Sequence, residues 1–327
     1  MKNCMQIYVP LLGNIIITIN DKNLYEFSKR QFYAYLKSEE YTDNEGNDIS
    51  FSFNLDSKYK QYFLSEEDIS FSKNSNYKDN VFTIVKKYRA KNKKFQFYFD
   101  KDKYICNVNV SSVKAFEYVK FRAKGYSYLH NRFYEEVLSP IIATYSIHSD
   151  FFLTHSALIT KDNRNIMLYG LDGVGKSTIV EHLVELGWNV EADNLVLFNG
   201  EMGIGLNLPI RVSRNCSVSK NMHVIFMDEK IKELGTIKAN NEQQIVTEMY
   251  QLVMSDKIIN RKINNCCLDV LIISNGAPEV NMMNSFISDF RLFSGSSSSS
   301  KINHNIKQHL LCNIKNNIEV TMKELVK

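Results

Sequence analysis

Long apolar runs are missing from this chain, and cysteine, proline and glycine are all sparse. No stretch of about 18 consecutive apolar residues occurs, the length a helix needs to cross a bilayer. The opening "MKNCMQIYVPLLGNIIITIN" is interrupted by Pro10, Gly13 and Asn14, which suits a pair of strands better than a signal peptide or an anchor. The expectation is a cytoplasmic protein that makes no membrane contact. Six cysteines (Cys4, Cys106, Cys216, Cys266, Cys267 and Cys312) show no CxxC or Cys/His ligand spacing. They read as reduced core thiols rather than zinc ligands or disulfides, with Cys266 and Cys267 as strand residues. Excess charge is also lacking: the net value of +4 is spread along the chain and leaves no electrostatic footprint for nucleic acid. The short basic cluster "KKYRAKNKK" (86–94) reads as a solvated strand edge or turn.

What is present is ordinary globular material, 44% hydrophobic and 23% charged, in a chain long enough for one large domain or two. Roughly the first 120 residues are β-rich. "NIIITI", "ISFSFNL", "VFTIVKKY", "KFQFYFD" and "YICNVNV" are short β-branched or aromatic runs separated by turn signals such as "DNEGND". An antiparallel sheet with one wet face is expected there. From about residue 128 the pattern changes. "LHNRFYEEVLSPIIATYSI" has helical spacing, and Pro140 is expected to kink or split it. "FFLTHSALIT" (151–160) and "NIMLYG" (165–170) suit buried strands. "STIVEHLVELG" places Ile179, Val180, Leu183, Val184 and Leu186 on one helical face, with Gly187 as its stop. "WNVEADNLVLF" is a strand-like run with a polar break, "MHVIFMDEK" a strand ending in acids, "NNEQQIVTEMYQLVM" a helix and "CLDVLIISN" a strand.

Three of the scarce glycines fall within six positions in "YGLDGVGKST" (169–178). Gly170-x4-Gly175-Lys176-Ser177 fits the phosphate-binding P-loop pattern in full. Glycines let backbone N–H groups turn inward and keep side chains from blocking phosphate oxygens. The cradle would comprise Gly170, Asp172, Gly173, Val174, Gly175, Lys176, Ser177 and Thr178. Lys176 supplies a point charge for the β- and γ-phosphates, Ser177 a hydroxyl for Mg²⁺, and the helix its positive end. ATP and Mg²⁺ are therefore the expected cofactors. Two stretches compete to supply a carboxylate: Asp228 or Glu229 in "VIFMDE", and Asp193 in "NVEADNLVLF", a strand that can lie beside the P-loop strand. Spacing does not choose between them.

An ordered set of segments then resembles the HPr kinase/phosphorylase-like family, whose core shares the phosphoenolpyruvate carboxykinase fold. The set is "FLTHSALI", "IMLYGLDGVGKST", "LGWNVEADNLVLF" and "LNLPIRVSR", and the resemblance covers roughly residues 130–290. It implies an α/β (α+β) P-loop kinase core with a mixed sheet, preceded by a β-rich antiparallel N-terminal part. By position it makes Asp193 the base that takes the acceptor's proton, and places His155 near the γ-phosphate. Asp193 and Asn194 join Ser177 around Mg²⁺, and Arg211 and Arg214 steady the phosphoryl group or an acidic substrate. Asn194 stands where the family carries a second acid, and the signature that follows in true HPr kinase/phosphorylases is absent, so action on HPr itself is not expected. Divergent relatives resemble kinases that phosphorylate a serine of ribosomally made precursor peptides, lasso peptides among them.

The expected layout is a β-rich part over 1–126, the kinase-like core over 127–293, a Ser-rich linker over 294–301 and a helical tail over 302–327. The expected activity is ATP-dependent transfer to a hydroxyl, foremost a serine of a peptide or protein partner. A kinase for free serine or a sugar, and a nucleotide-binding regulatory module without transfer, are the rival readings. Nucleic acid and membrane are not expected partners, and a homo-oligomer stays open.

Overall fold

The structure, a computed structural model, describes residues 4–9, 13–32, 36, 49–56, 69–72, 75–78, 81–88, 91–100, 103–111, 129, 132–142, 150–171, 173–206, 208, 221–225, 231–235, 244–255, 260–262, 302–314 and 318–326. Residues Met1–Ser149 with Ser285–Ser297 make one compact unit, and Asp150–Asn284 with Ser298–Lys327 make a second. The "CLDVLIISN" and Ser-rich stretches, with Cys216, Cys266 and Cys267, lie outside the described residues, and Cys4, expected in the core, is exposed.

The first unit carries an eight-stranded sheet. In chain order its strands are β1 (Cys4–Val9), β2 (Gly13–Ile19), β3 (Ile49–Asp56), β4 (Ile69–Ser72), β5 (Ser75–Lys78), β6 (Val81–Tyr88), β7 (Lys91–Asp100) and β8 (Lys103–Ser111). They lie side by side as β1-β2-β3-β8-β7-β6-β5-β4. Of the basic cluster expected at a strand edge or turn, 86–88 and 91–94 fall on the paired ends of β6 and β7, where Tyr88 faces Lys91. The expected all-antiparallel arrangement needs correction, because β3 is parallel to both β2 and β8. A parallel pair requires a crossover, and the β2–β3 crossover begins with helix α1 (Lys22–Gln31). Asp21 caps that helix by accepting from the Leu24 N–H at 3.0 Å. Hydropathy hides α1 because its buried stripe is Leu24, Ser28 and Gln31, two of them polar.

Arg132 is buried in this unit, bonded to Asp21 at 2.6 Å and to Glu136 at 3.0 Å. The helical segment it opens is not split at Pro140. A π-helical turn, Phe133–Leu138, precedes the proline, with the Ser139 N–H donating five residues back to the Tyr134 carbonyl. The Ser139 hydroxyl adds a 2.6 Å bond to the same oxygen. Proline has no N–H and crowds the carbonyl four residues earlier, so a widened turn just before it relieves the conflict and the helix continues to Ile142.

The second unit holds β9 (Phe152–Thr154), β10 (Ser156–Lys161), β11 (Arg164–Gly170), helix α2 (Lys176–Glu185), β12 (Asn189–Ala192), β13 (Val196–Phe198) and β14 (Met202–Gly205). There follow β15 (Asn221–Ile225), β16 (Ile231–Gly235), β17 (Gln244–Ile245), β18 (Glu248–Ser255), β19 (Asn260–Lys262), β20 (Lys307–Ile314) and helix α3 (Ile318–Val326). A six-stranded sheet runs β12-β10-β11-β18-β20-β19, a four-stranded one β17-β14-β13-β9, and β15 pairs with β16. The chain is thus mixed α+β.

Two expectations fail here. Within "NNEQQIVTEMYQLVM", residues 240–243 lie outside the described residues and the rest is not helical: it forms β17 and β18, the latter parallel to both β11 and β20. Its Glu, Gln and Met favour helix and its apolar spacing allows one, but a strand buried on both faces carries apolar residues nearly continuously, so period alone misleads. The tail is likewise more than helical, since β20 extends the six-stranded sheet before α3 begins.

Alternation along the central strands divides the core in two. Ala157, Ile159, Ile166, Leu168, Tyr250 and Leu252 pack with Ile179, Val180 and Leu183 of α2 and Met322 and Leu325 of α3. The intervening Leu158, Met167, Tyr169 and Met249 pack on the other face with Val196 and Phe198 of β13. Ile179, Val180 and Leu183 are fully buried, each contributing about 1.5–3 kcal/mol. Leu186, expected on the same stripe, is instead exposed. It is the C-cap, and Gly187 at φ +82° ends the helix in a Schellman turn. The Gly187 N–H bonds Val184 and the Trp188 N–H bonds Leu183.

Candidate functional site

The glycine-rich segment takes up a strand–loop–helix path. β11 ends at Gly170, whose φ of +153° and whose contact with β18 both exclude a side chain: a Cβ there would lie 2.6 Å from the Leu252 carbonyl oxygen. Gly173 has φ +76° and nothing within 4 Å of its Cβ position, so the loop is open on that side. Between them and the helix, Val174 plugs into the core beneath α2 and ties the loop to the sheet. Gly175, in the left-handed conformation, is the N-cap of α2 and makes no side-chain capping bond. The first N–H groups of a helix have no partner within it, so here those of Lys176, Ser177 and Thr178 face the loop.

Lys176 is buried, and its ammonium donates to the Gly170 carbonyl at 3.0 Å and the Leu171 carbonyl at 3.3 Å. Ser177 is half-buried and Thr178 exposed in the first helical turn. Asp172, Arg211 and Arg214 lie outside the described residues, as do Asp228 and Glu229.

Register brings the other two assigned residues to the loop. β10 is antiparallel to both β11 and β12, so those two strands point the same way and end on one edge of the sheet. The glycine-rich loop leaves from that edge. Asp193 follows the end of β12, whose last residue Ala192 faces Leu158. His155 precedes β10, whose first residue Ser156 faces Tyr169, the residue before Gly170. The expectation that the strand after the helix lies directly beside the P-loop strand is corrected, because β10 intervenes. Two strand spacings, about 10 Å, therefore separate β11 from β12, which Asp193 follows, and His155 immediately precedes β10, the strand between them.

The same place is where the chain passes between sheets. Thr154 faces Val196 in the four-stranded sheet, while Leu158 faces Ala192 in the six-stranded one. His155 lies in the first crossover, and Asp193, Asn194 and Leu195 form the second. His155 and Asp193 are both buried, and Asn194 is half-buried. β14 closes over the second crossover: Leu206 N–H donates to the Leu195 carbonyl at 3.0 Å, and a Cβ on Gly205 would come within 2.2 Å of the Glu191 carbonyl oxygen.

The opposite edge holds a polar cluster that sequence reading missed. Arg164 grips Glu248 with two bonds of 2.7 and 2.9 Å and reaches the Leu325 carbonyl at 3.2 Å. Its guanidinium also lies 5.5 Å from the Trp188 ring centroid. The Tyr250 hydroxyl donates to Glu248 at 2.8 Å, and the Tyr250 ring stacks on His309 at 4.8 Å. Burial works to raise the Glu248 carboxyl, but bonds from Arg164 and Tyr250 and the Arg164 charge outweigh it and hold it below the usual range. Burial and the Glu248 carboxylate push the Tyr250 hydroxyl up, while burial pushes the His309 imidazole down. Arg164 and Glu248 are 84 residues apart, and no local motif announces their pairing. This cluster clamps β11, β18 and α3 at the far end from the loop.

Neither a family model nor a curated protein matches the chain. Among solved structures, the HPr(Ser) kinase/phosphatase from Coxiella burnetii is similar over 53% of this chain and 93% of that one, at 12% identity and a TM-score of 0.28. A likeness of that size assigns neither activity nor ligand to this chain.

Proposed function

We propose that the second unit binds ATP with Mg²⁺ at residues 170–178 and transfers the γ-phosphoryl group to a hydroxyl, foremost a serine of a peptide or protein. The observation that carries this reading is the common sheet edge: the P-loop, His155 and Asp193 all emerge there. The open side at Gly173 and the first N–H groups of α2, which a helix leaves without partners of its own, support polyphosphate binding there.

Each residue then has a task. The N–H groups of α2 and the Lys176 ammonium hold negative oxygens of the donor. Ser177, Asp193 and Asn194 supply the oxygen ligands that would hold the metal, which adds positive charge where charge builds up during transfer. Asp193 takes the proton of the acceptor hydroxyl as its oxygen bonds to phosphorus and the bond to the leaving diphosphate breaks. The span of two strand spacings leaves room for a phosphoryl group between loop and base. His155, from the strand between, lies beside the transferring group. Arg211 and Arg214 are assigned to that group or to an acidic substrate by the sequence pattern alone.

Incubation with γ-labelled ATP, Mg²⁺ and a panel of serine peptides, free serine and sugars tests the reading. Label on a peptide serine is the expected result. Label confined to free serine or a sugar would move the acceptor to a small molecule, and tight nucleotide binding with no labelled product across the panel would refute transfer.

A further inference from the structure

Two buried hydroxyls flank His155, and their bonds have a direction. The Thr154 hydroxyl lies 2.9 Å from the Val196 carbonyl oxygen, to which it donates, and 2.6 Å from the Ser156 hydroxyl. A hydroxyl has one hydrogen to give. Thr154 gives its own to Val196, so Ser156 must be the donor to Thr154. The result is a one-way chain, Ser156 to Thr154 to the Val196 carbonyl, with both side chains fully buried.

The geometry of that chain matters more than its bonds taken singly. Thr154 closes β9 and Ser156 opens β10, so a bond between their side chains pinches the backbone at the single residue between them, His155. The other end of the chain fastens to Val196, the first residue after the crossover that holds Asp193, Asn194 and Leu195. Sheet hydrogen bonds do not span either crossover, because each crossover leaves one sheet for another. The Ser156–Thr154 bond spans the first, and the Thr154–Val196 bond joins it to the residue just after the second, a pair that β9 and β13 also hold in register.

We infer that Thr154, with Ser156, is a positioning residue that fixes His155 relative to the crossover carrying Asp193. This rests on the proposed transfer site for its purpose and on the hydroxyl relay for its evidence. Thr154 touches neither donor nor acceptor. It acts by holding the two crossovers at one spacing. Valine matches threonine in shape but has no hydroxyl, so Thr154→Val removes the relay with little change in packing. Thr154→Ser keeps the hydroxyl.

The test is a proton-NMR pH titration of the His155 imidazole in the nucleotide-free protein, assigned through His155→Gln. Thr154→Val is expected to move the midpoint by about half a pH unit or more and Thr154→Ser to restore it, because a displaced ring meets different neighbours. In the same proteins, the transfer rate should fall about tenfold or more in Thr154→Val while nucleotide affinity stays at the wild-type value. An unchanged His155 midpoint in folded Thr154→Val overturns the inference. If Thr154→Val does not fold, Ser156→Ala decides in its place: a shifted midpoint supports the relay and an unshifted one overturns it. The titration needs no phosphoryl transfer, so a wild-type protein that transfers nothing refutes the kinase reading while leaving this test intact.

Discussion

Lys176 donates from its ammonium to the carbonyl oxygen of Gly170 at 3.0 Å, folding back across the loop that separates them. The contact keeps a buried cation satisfied and parks it where the loop would bring phosphate oxygens. Lys176→Ala should weaken ATP binding by about tenfold to a hundredfold, the range set by one charge-assisted bond. Calorimetric titration with ATP and Mg²⁺ measures it, and wild-type affinity in this variant would remove Lys176 from the phosphate site.

Two glycines of the same loop should fail in different ways. Gly170 is pressed against the Leu252 carbonyl and has positive φ, so Gly170→Ala should destabilise the fold by about 1–3 kcal/mol. Gly173 has positive φ but open space around it, so Gly173→Ala bears only the backbone strain, about 1–2 kcal/mol. It should lose nucleotide affinity, because its methyl group occupies the open side. Denaturant midpoints and ATP titrations on both variants check the contrast.

Gly205 tests the second crossover. Its approach to the Glu191 carbonyl leaves no room for a methyl group, and Glu191 is two residues ahead of Asp193. Gly205→Ala should therefore shift the end of β12, at about 1–3 kcal/mol in stability. The transfer rate should drop further than nucleotide affinity does. Equal losses in both would argue against a specific effect on the Asp193 side.

The cluster at the far edge makes stability acid-sensitive. Glu248 has a carboxyl held below its ordinary value of 4.5, so its stabilising contribution is complete above that value and is lost as pH falls through the lowered one. His309, pushed below 6.5 by burial, acts with the same sign: the unfolded chain takes up its proton first, so stability begins to fall as pH drops below about 6.5. Glu248→Gln should lose about 1–3 kcal/mol at neutral pH and flatten the acid limb below pH 5. Thermal midpoints across pH 4–8 check both.

The parts of the site that are consecutive in sequence were legible there, and the parts assembled by register were not. The loop, the flanking strand and the helix follow from glycine placement and apolar spacing within "NIMLYGLDGVGKSTIVEHLVELG". The polar break in "WNVEADNLVLF" and the histidine in "FFLTHSALIT" mark both crossovers. Nothing local says that β12 pairs with β10 rather than β11, since that depends on residues about 30 positions apart. The hydroxyl relay was hidden for the same reason: Thr154 finds its carbonyl 42 residues downstream. β18 was misread because helix-forming residues occupy a strand whose first half is buried on both faces. α1 was missed because Ser28 and Gln31 fill its buried stripe.

The central claim is that Asp193, brought to the P-loop edge by β12, is the base for phosphoryl transfer. Single-turnover transfer of labelled γ-phosphate from ATP to an accepted serine peptide, with Asp193→Asn beside wild type at matched nucleotide saturation, tests it most directly. Asparagine keeps the shape and removes the proton acceptor, so the account predicts transfer slowed by about a hundredfold or more with the variant still folded and still binding ATP. Transfer by Asp193→Asn at the wild-type rate would contradict it.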